Sequence, residues 1–151
     1  MSEKIIDWTN PDQKISTYFT VKDAIWLPKW NRLANDSDGL NADVKMALLA
    51  FFAKMDVVRA FFNKPIIVHC AFRPFAYNKL VYGAKRSAHL CNGPWAACDF
   101  HIVGVTCDAA RKLLVPKLEE WGMRCENKFG SNWIHLDNKP LEPRGNRFFI
   151  P

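Results

Sequence analysis

The sequence has no apolar run long enough to cross a bilayer. Its longest candidate, 42–62, is interrupted by Lys45, Lys54, Asp56 and Arg59, whereas a span needs roughly 18 unbroken apolar residues. The basic start and apolar stretch of a secretory signal are also missing: the chain begins Met-Ser-Glu-Lys-Ile-Ile-Asp, which reads as a soluble product made in the cytoplasm. The five cysteines are an odd number with no Cys-x-x-Cys pair, so free and mostly buried thiols are expected rather than a disulfide framework. Repeats, low-complexity tracts and Gly/Ser linkers are absent, which leaves one compact domain over 1–151. Although the net charge is +6, it comes without a dense basic run, a helix-turn-helix pattern or an aromatic-rich ribonucleoprotein motif. Nucleic acid is therefore not the expected partner, and the mild positive balance suits polyanionic surroundings in general.

What is present is core-forming material, since 49% of the residues are apolar and 13% aromatic, too many for a disordered chain. Thr20, with Asp23 three residues on, predicts a helix cap before Val21 to Trp26, and Pro28 stops that turn. Asn41 predicts the cap of a long amphipathic helix whose apolar stripe is Val44, Leu48, Phe51, Phe52, Met55, Val58 and Phe62. After Pro65 the period changes. Residues 66–71 and 96–103 read as buried strands, with a loop beginning at Arg73-Pro74. Thr106 or Asp108 caps a helix ending near Trp121-Gly122, and two short strands, 123–127 and 133–137, flank a loop of hairpin length. Helices first and strands later predict an α+β fold, with the tail from Pro140 to Pro151 as either an edge strand or part of an interface.

The four histidines are His69, His89, His101 and His135. Asp99 interrupts an apolar strand, where a carboxylate is costly unless paired or metal-bound. Imidazole and carboxylate together are zinc ligands, and a His/Asp/His set leaves one tetrahedral position open for water. Rival readings stand beside this one. His101 shares the strand face of Asp99 and could be a ligand or a partner to one; Cys91 and Cys98 with His89 could make a structural zinc site; His69, inside an apolar strand, reads as a core histidine. Trp95 and Trp133 read as buried aromatics or as walls of a substrate groove.

Ser87-Ala88-His89-Leu90, then Ala97-Cys98-Asp99-Phe100-His101-Ile102, then Asn132-Trp133-Ile134-His135-Leu136-Asp137 resemble the zinc peptidases of the M15 family. That family comprises D-Ala-D-Ala carboxypeptidases and related endopeptidases of peptidoglycan, many of them phage endolysins. Its pattern is Ser-x-His, a small residue before x-Asp on a strand, and Trp-x-His, with an upstream Arg matched here by Arg73; the elements occur in family order between about residues 18 and 137. The resemblance implies a fold like that of Hedgehog and the DD-peptidases, helices on a small antiparallel sheet carrying zinc. It makes His89, Asp99 and His135 the ligands of Zn²⁺. It gives Arg73, helped by Ser87, the substrate's carboxylate or peptide carbonyl.

Two departures stand out. Nine residues separate His89 from Asp99, more than is usual in the family, and the turn signal Gly93-Pro94 could absorb the excess. Asn132 occupies the position, three before the last His, where many members carry the acidic general base. Some phage members place a Glu further upstream before Phe-Gly, which points to Glu126 ahead of Phe129-Gly130. Asp137, on the strand face of His135, is the rival base. The implied activity is hydrolysis of stem peptides in the bacterial cell wall by a phage or prophage product. The alternative is a catalytically inactive phage structural or wall-binding module of the same fold.

Overall fold

The computed structural model describes residues 5–151. In chain order it contains α1 (Val21–Ile25), β1 (Trp26–Leu27), β2 (Arg32–Leu33), α2 (Ala42–Phe62), β3 (Ile66–Cys70), α3 (Phe75–Leu80), β4 (Ala97–Ile102), α4 (Cys107–Leu114), α5 (Leu118–Trp121), β5 (Arg124–Glu126), β6 (Ile134–Asp137) and β7 (Phe148–Phe149). The fold is α+β. Among the described residues no helix is long and apolar enough to cross a membrane.

Helix α2 starts where the Asn41 side chain accepts the Val44 N–H at 2.9 Å and ends on Asn63 in the left-handed region. It buries Val44, Ala47, Leu48, Phe51, Phe52, Met55 and Val58, the predicted stripe except that Phe62 lies at its half-buried edge. These side chains join Phe100, Ile102, Ile134 and Leu136 from the sheet in one core, and each large apolar group so buried is worth about 1.5–3 kcal/mol. The sheet therefore has one face on the core, and its other face is left for chemistry.

Five strands run in the order β3-β4-β6-β5-β7. The expectation of an antiparallel sheet holds for the first four and fails at the edge, where β7 pairs parallel to β5. The tail crosses back to the open edge of β5 in the same direction, so the sheet is mixed. The stretch after Arg73-Pro74 is a further correction, because it folds as α3 from Phe75 onward with Pro74 at the N-cap, a position where its missing N–H costs nothing. Between Thr106, which caps α4 through the Ala109 N–H, and Trp121 the helix is not continuous. Pro116 lies in a 3-10 turn that separates α4 from α5.

Register aligns the chemistry. Asp99 on β4 is opposite His135 on β6, and Arg124 on β5 is opposite Asp137. Directly opposed residues in an antiparallel pair share a face, so Asp99, His135, Asp137 and Arg124 all project from the side away from α2.

Candidate metal centre

His89 comes from the loop before β4 and is held at three points. The Ser87 hydroxyl accepts the His89 backbone N–H at 3.2 Å, fixing a 3-10 turn over Ala88–Leu90. The His89 carbonyl accepts the Arg73 backbone N–H at 2.8 Å. The ring Nδ1 lies 2.7 Å from the Ala71 carbonyl, and a carbonyl can only accept, so Nδ1 carries the proton. In the neutral ring that leaves the Nε2 lone pair, which is directed at Asp99 Oδ1 3.1 Å away.

His135 is arranged in the same way from the other side. Its Nε2 donates to Asp137 Oδ2 at 2.7 Å; Asp137 is fully buried and is gripped by Arg124 through bonds of 2.7 and 2.9 Å. His135 Nδ1 then faces the same Asp99 oxygen at 3.0 Å. The ligand atoms of His89, Asp99 and His135 all lie within 4.8 Å of one another. Two imidazole nitrogens and an anionic oxygen converging at such short range repel one another unless a proton or a metal ion lies between them. The donor set of two imidazoles and a carboxylate, each imidazole fixed by an outer acceptor, fits zinc.

The same field acts on protons. Burial pulls the His135 pKa down, but the bonds to Asp137 and Asp99 outweigh it and push it up to about 10. Burial raises the Asp99 carboxyl, yet His89 and His135 together hold it well below the usual carboxylate range. Asp137 is lowered likewise: burial opposes, while His135 and Arg124 prevail.

The other sequence-predicted residues are distributed around this centre. Arg73 donates from one terminal amine to Asp99 Oδ2 at 3.1 Å, so the guanidinium sits beside the cluster, and its Nε is buried without a partner. Ser87 acts on His89 through the backbone, as above. Asp137 has both oxygens engaged, by His135, by Arg124 and by the Lys139 N–H at 3.1 Å. Continuing the β5–β6 register by one step sets Glu126 opposite His135, on the cluster's face but outside the cluster itself. Asn132 is exposed and lines a shallow depression of about 530 Å³ with His101, Thr106 and Asp108. Trp95 and Trp133 are half-buried; Trp95 packs against Gly93, where an added Cβ would come within 2.1 Å of the indole. The longer loop between His89 and Asp99 is thus folded onto its own tryptophan.

Cys91 and Cys98 are free and buried in the core, where burial pushes both thiols up, so they do not join His89 in a structural site. His69 is a correction: it is exposed, not in the core. Ile67 pairs with His101, and His69, alternating with Ile67 along β3, projects from the same face.

Arg111 belongs to none of the sequence motifs. It is nearly fully buried, bonds to Asp108 Oδ1 at 2.7 Å, and donates to the Ser131 hydroxyl and the Trp133 carbonyl. Asp108 in turn accepts the Gly130 N–H at 3.0 Å. Together they fasten the β5–β6 loop to α4. Its signal was readable, since Arg111 shares helical spacing with Leu114 and Leu118 on an otherwise apolar stripe.

No curated protein and no solved structure matches the chain significantly. A family model described as Peptidase M15 matches residues 29–137, a span that contains every residue of the centre and ends at Asp137, before the strand β7. With its signature residues folded into one converging donor set, the chain belongs to the peptidase M15 family.

Proposed function

We propose that the chain is a zinc-dependent peptidase that hydrolyses peptide bonds in the stem peptides of bacterial peptidoglycan, as a DD-carboxypeptidase or an endopeptidase, on a DD-peptidase-like fold. The observation that carries this reading is the convergence of His89 Nε2, Asp99 Oδ1 and His135 Nδ1, with both outer imidazole nitrogens already committed to acceptors. These three atoms would hold the ion. Zinc so held polarises a carbonyl and lowers the pKa of water towards about 7.

Glu126 would take the proton of the attacking water on a carboxylate oxygen and return it to the leaving amine. Its register opposite His135 supports this role, and the amide of Asn132 cannot accept a proton near neutrality. Asp137, with both oxygens occupied, is a positioning residue for His135. Arg73 would fix the substrate's carboxylate or carbonyl with the guanidinium edge that Asp99 does not use, and Ser87 keeps His89 in place. The same reading makes the chain a phage or prophage product that acts on the cell wall.

Digestion of purified peptidoglycan tests the proposal. Released D-alanine marks a carboxypeptidase and new amino termini an endopeptidase; either must vanish with a chelator and return with zinc. A zinc-loaded protein that cuts nothing would favour instead the catalytically inactive phage structural or wall-binding module, the reading that Asn132 at the usual base position motivates.

A further inference from the structure

The face that carries the candidate centre holds a second pair of histidines. His101 follows Asp99 by two residues on β4 and points to the same side. His69 reaches the same face by alternation from Ile67, which is paired with His101. The two rings lie 4.9 Å apart between centroids, and His69 Nε2 is 2.6 Å from His101 Nδ1. At that separation both nitrogens cannot carry protons, so at least one lone pair already points into the gap. No backbone carbonyl or carboxylate claims the outer nitrogens among the described residues, and His69 is exposed.

We propose that His69 and His101 form a second metal site, one that takes a zinc, nickel or copper ion on its two imidazoles, with water completing the shell. Imidazole suits these borderline metals. Bonds of 2.0–2.1 Å in a tetrahedron set ligand nitrogens about 3.3 Å apart, so a small rotation of the exposed His69 ring converts the hydrogen-bonded pair into a chelate. Two residues of strand put His101 about 6.6 Å beyond Asp99. Paired catalytic ions lie about 3.5–4 Å apart on shared ligands; this pair shares no ligand with His89, Asp99 and His135, so its site is distinct from the first, and the exposure of His69 makes it exchangeable. It needs neither the zinc nor the peptidase activity proposed above.

Calorimetric zinc titration of the full chain, loaded with zinc and freed of excess metal, tests this directly. The wild type should take up about one further ion per chain, and His69→Ala and His101→Ala should take up none, as expected of a site built from two imidazoles. Copper added to wild type should give an electron paramagnetic resonance spectrum with coupling to imidazole nitrogen, lost in both variants. His135→Ala should keep this binding, which separates the site from the first centre. Absence of a further ion in wild type, or its survival in both variants, would overturn the proposal; circular dichroism of His69→Ala guards against misfolding, since that side chain is exposed.

Discussion

Two histidine pairs share one sheet face and are held in opposite ways. His89 and His135 are buried, each outer nitrogen is committed, to Ala71 or to Asp137, and a carboxylate lies between them. Exposed His69 and half-buried His101 touch each other with no carboxylate between them. The electrostatic consequences run in opposite directions. His135 is driven up to about 10 by its two carboxylate partners against the pull of burial, while burial and the neighbouring His101 push His69 down. What separates a catalytic-type centre from a surface pair is the second ring of groups, which fixes each tautomer and aims its lone pair.

Removing a ligand should break the comparison most severely. His135→Ala takes away one donor and leaves Asp137 and Arg124 without their imidazole partner, so zinc content by elemental analysis should fall to near zero and wall digestion with it. Glu126→Gln should keep zinc while turnover drops by about 10²- to 10⁴-fold, the usual worth of a general base. Asp137→Asn leaves every ligand in place but frees the His135 tautomer; zinc affinity measured by competition with a chelator should weaken by about 10- to 100-fold.

Protons sharpen the contrast further. In metal-free protein the raised pKa of His135 contributes stability that is complete below its ordinary 6.5 and is lost as pH climbs towards about 10. The lowered Asp99 and Asp137 contribute above the ordinary carboxylate value of 3.8 and lose their contribution as pH falls below it. Urea midpoints of the metal-free protein should therefore decline on both sides, and zinc should flatten the alkaline side because the ion displaces the proton of His135. The smallest effect is expected at Arg111→Lys, which loosens the β5–β6 loop: amide exchange should rise across residues 128–133, with a lesser loss of turnover than in Glu126→Gln.

Much of this could be read from the residues alone. The stripe of α2, the caps at Thr20, Asn41 and Thr106, and the strand bearing Asp99 follow from local periodicity and turn chemistry, and structure agrees with them. The ligand candidates were visible because family-like motifs occur in order. Non-local features were not. The apolar run around His69 hides that it alternates outward with Ile67, and the edge-strand reading of the tail is met by β7, whose parallel pairing with β5 only the fold supplies. Sequence also left open which face Glu126 takes, because a one-residue slip reverses it; the pairing of Arg124 with Asp137 supplies that register.

The central claim is that His89, Asp99 and His135 together hold a metal ion. Elemental analysis of purified wild type beside His135→Ala tests it most directly: near-stoichiometric zinc in the wild type, lost in the variant, is predicted. No firmly bound metal in the wild type, or equal zinc in both proteins after exchangeable metal is removed, would contradict the assignment.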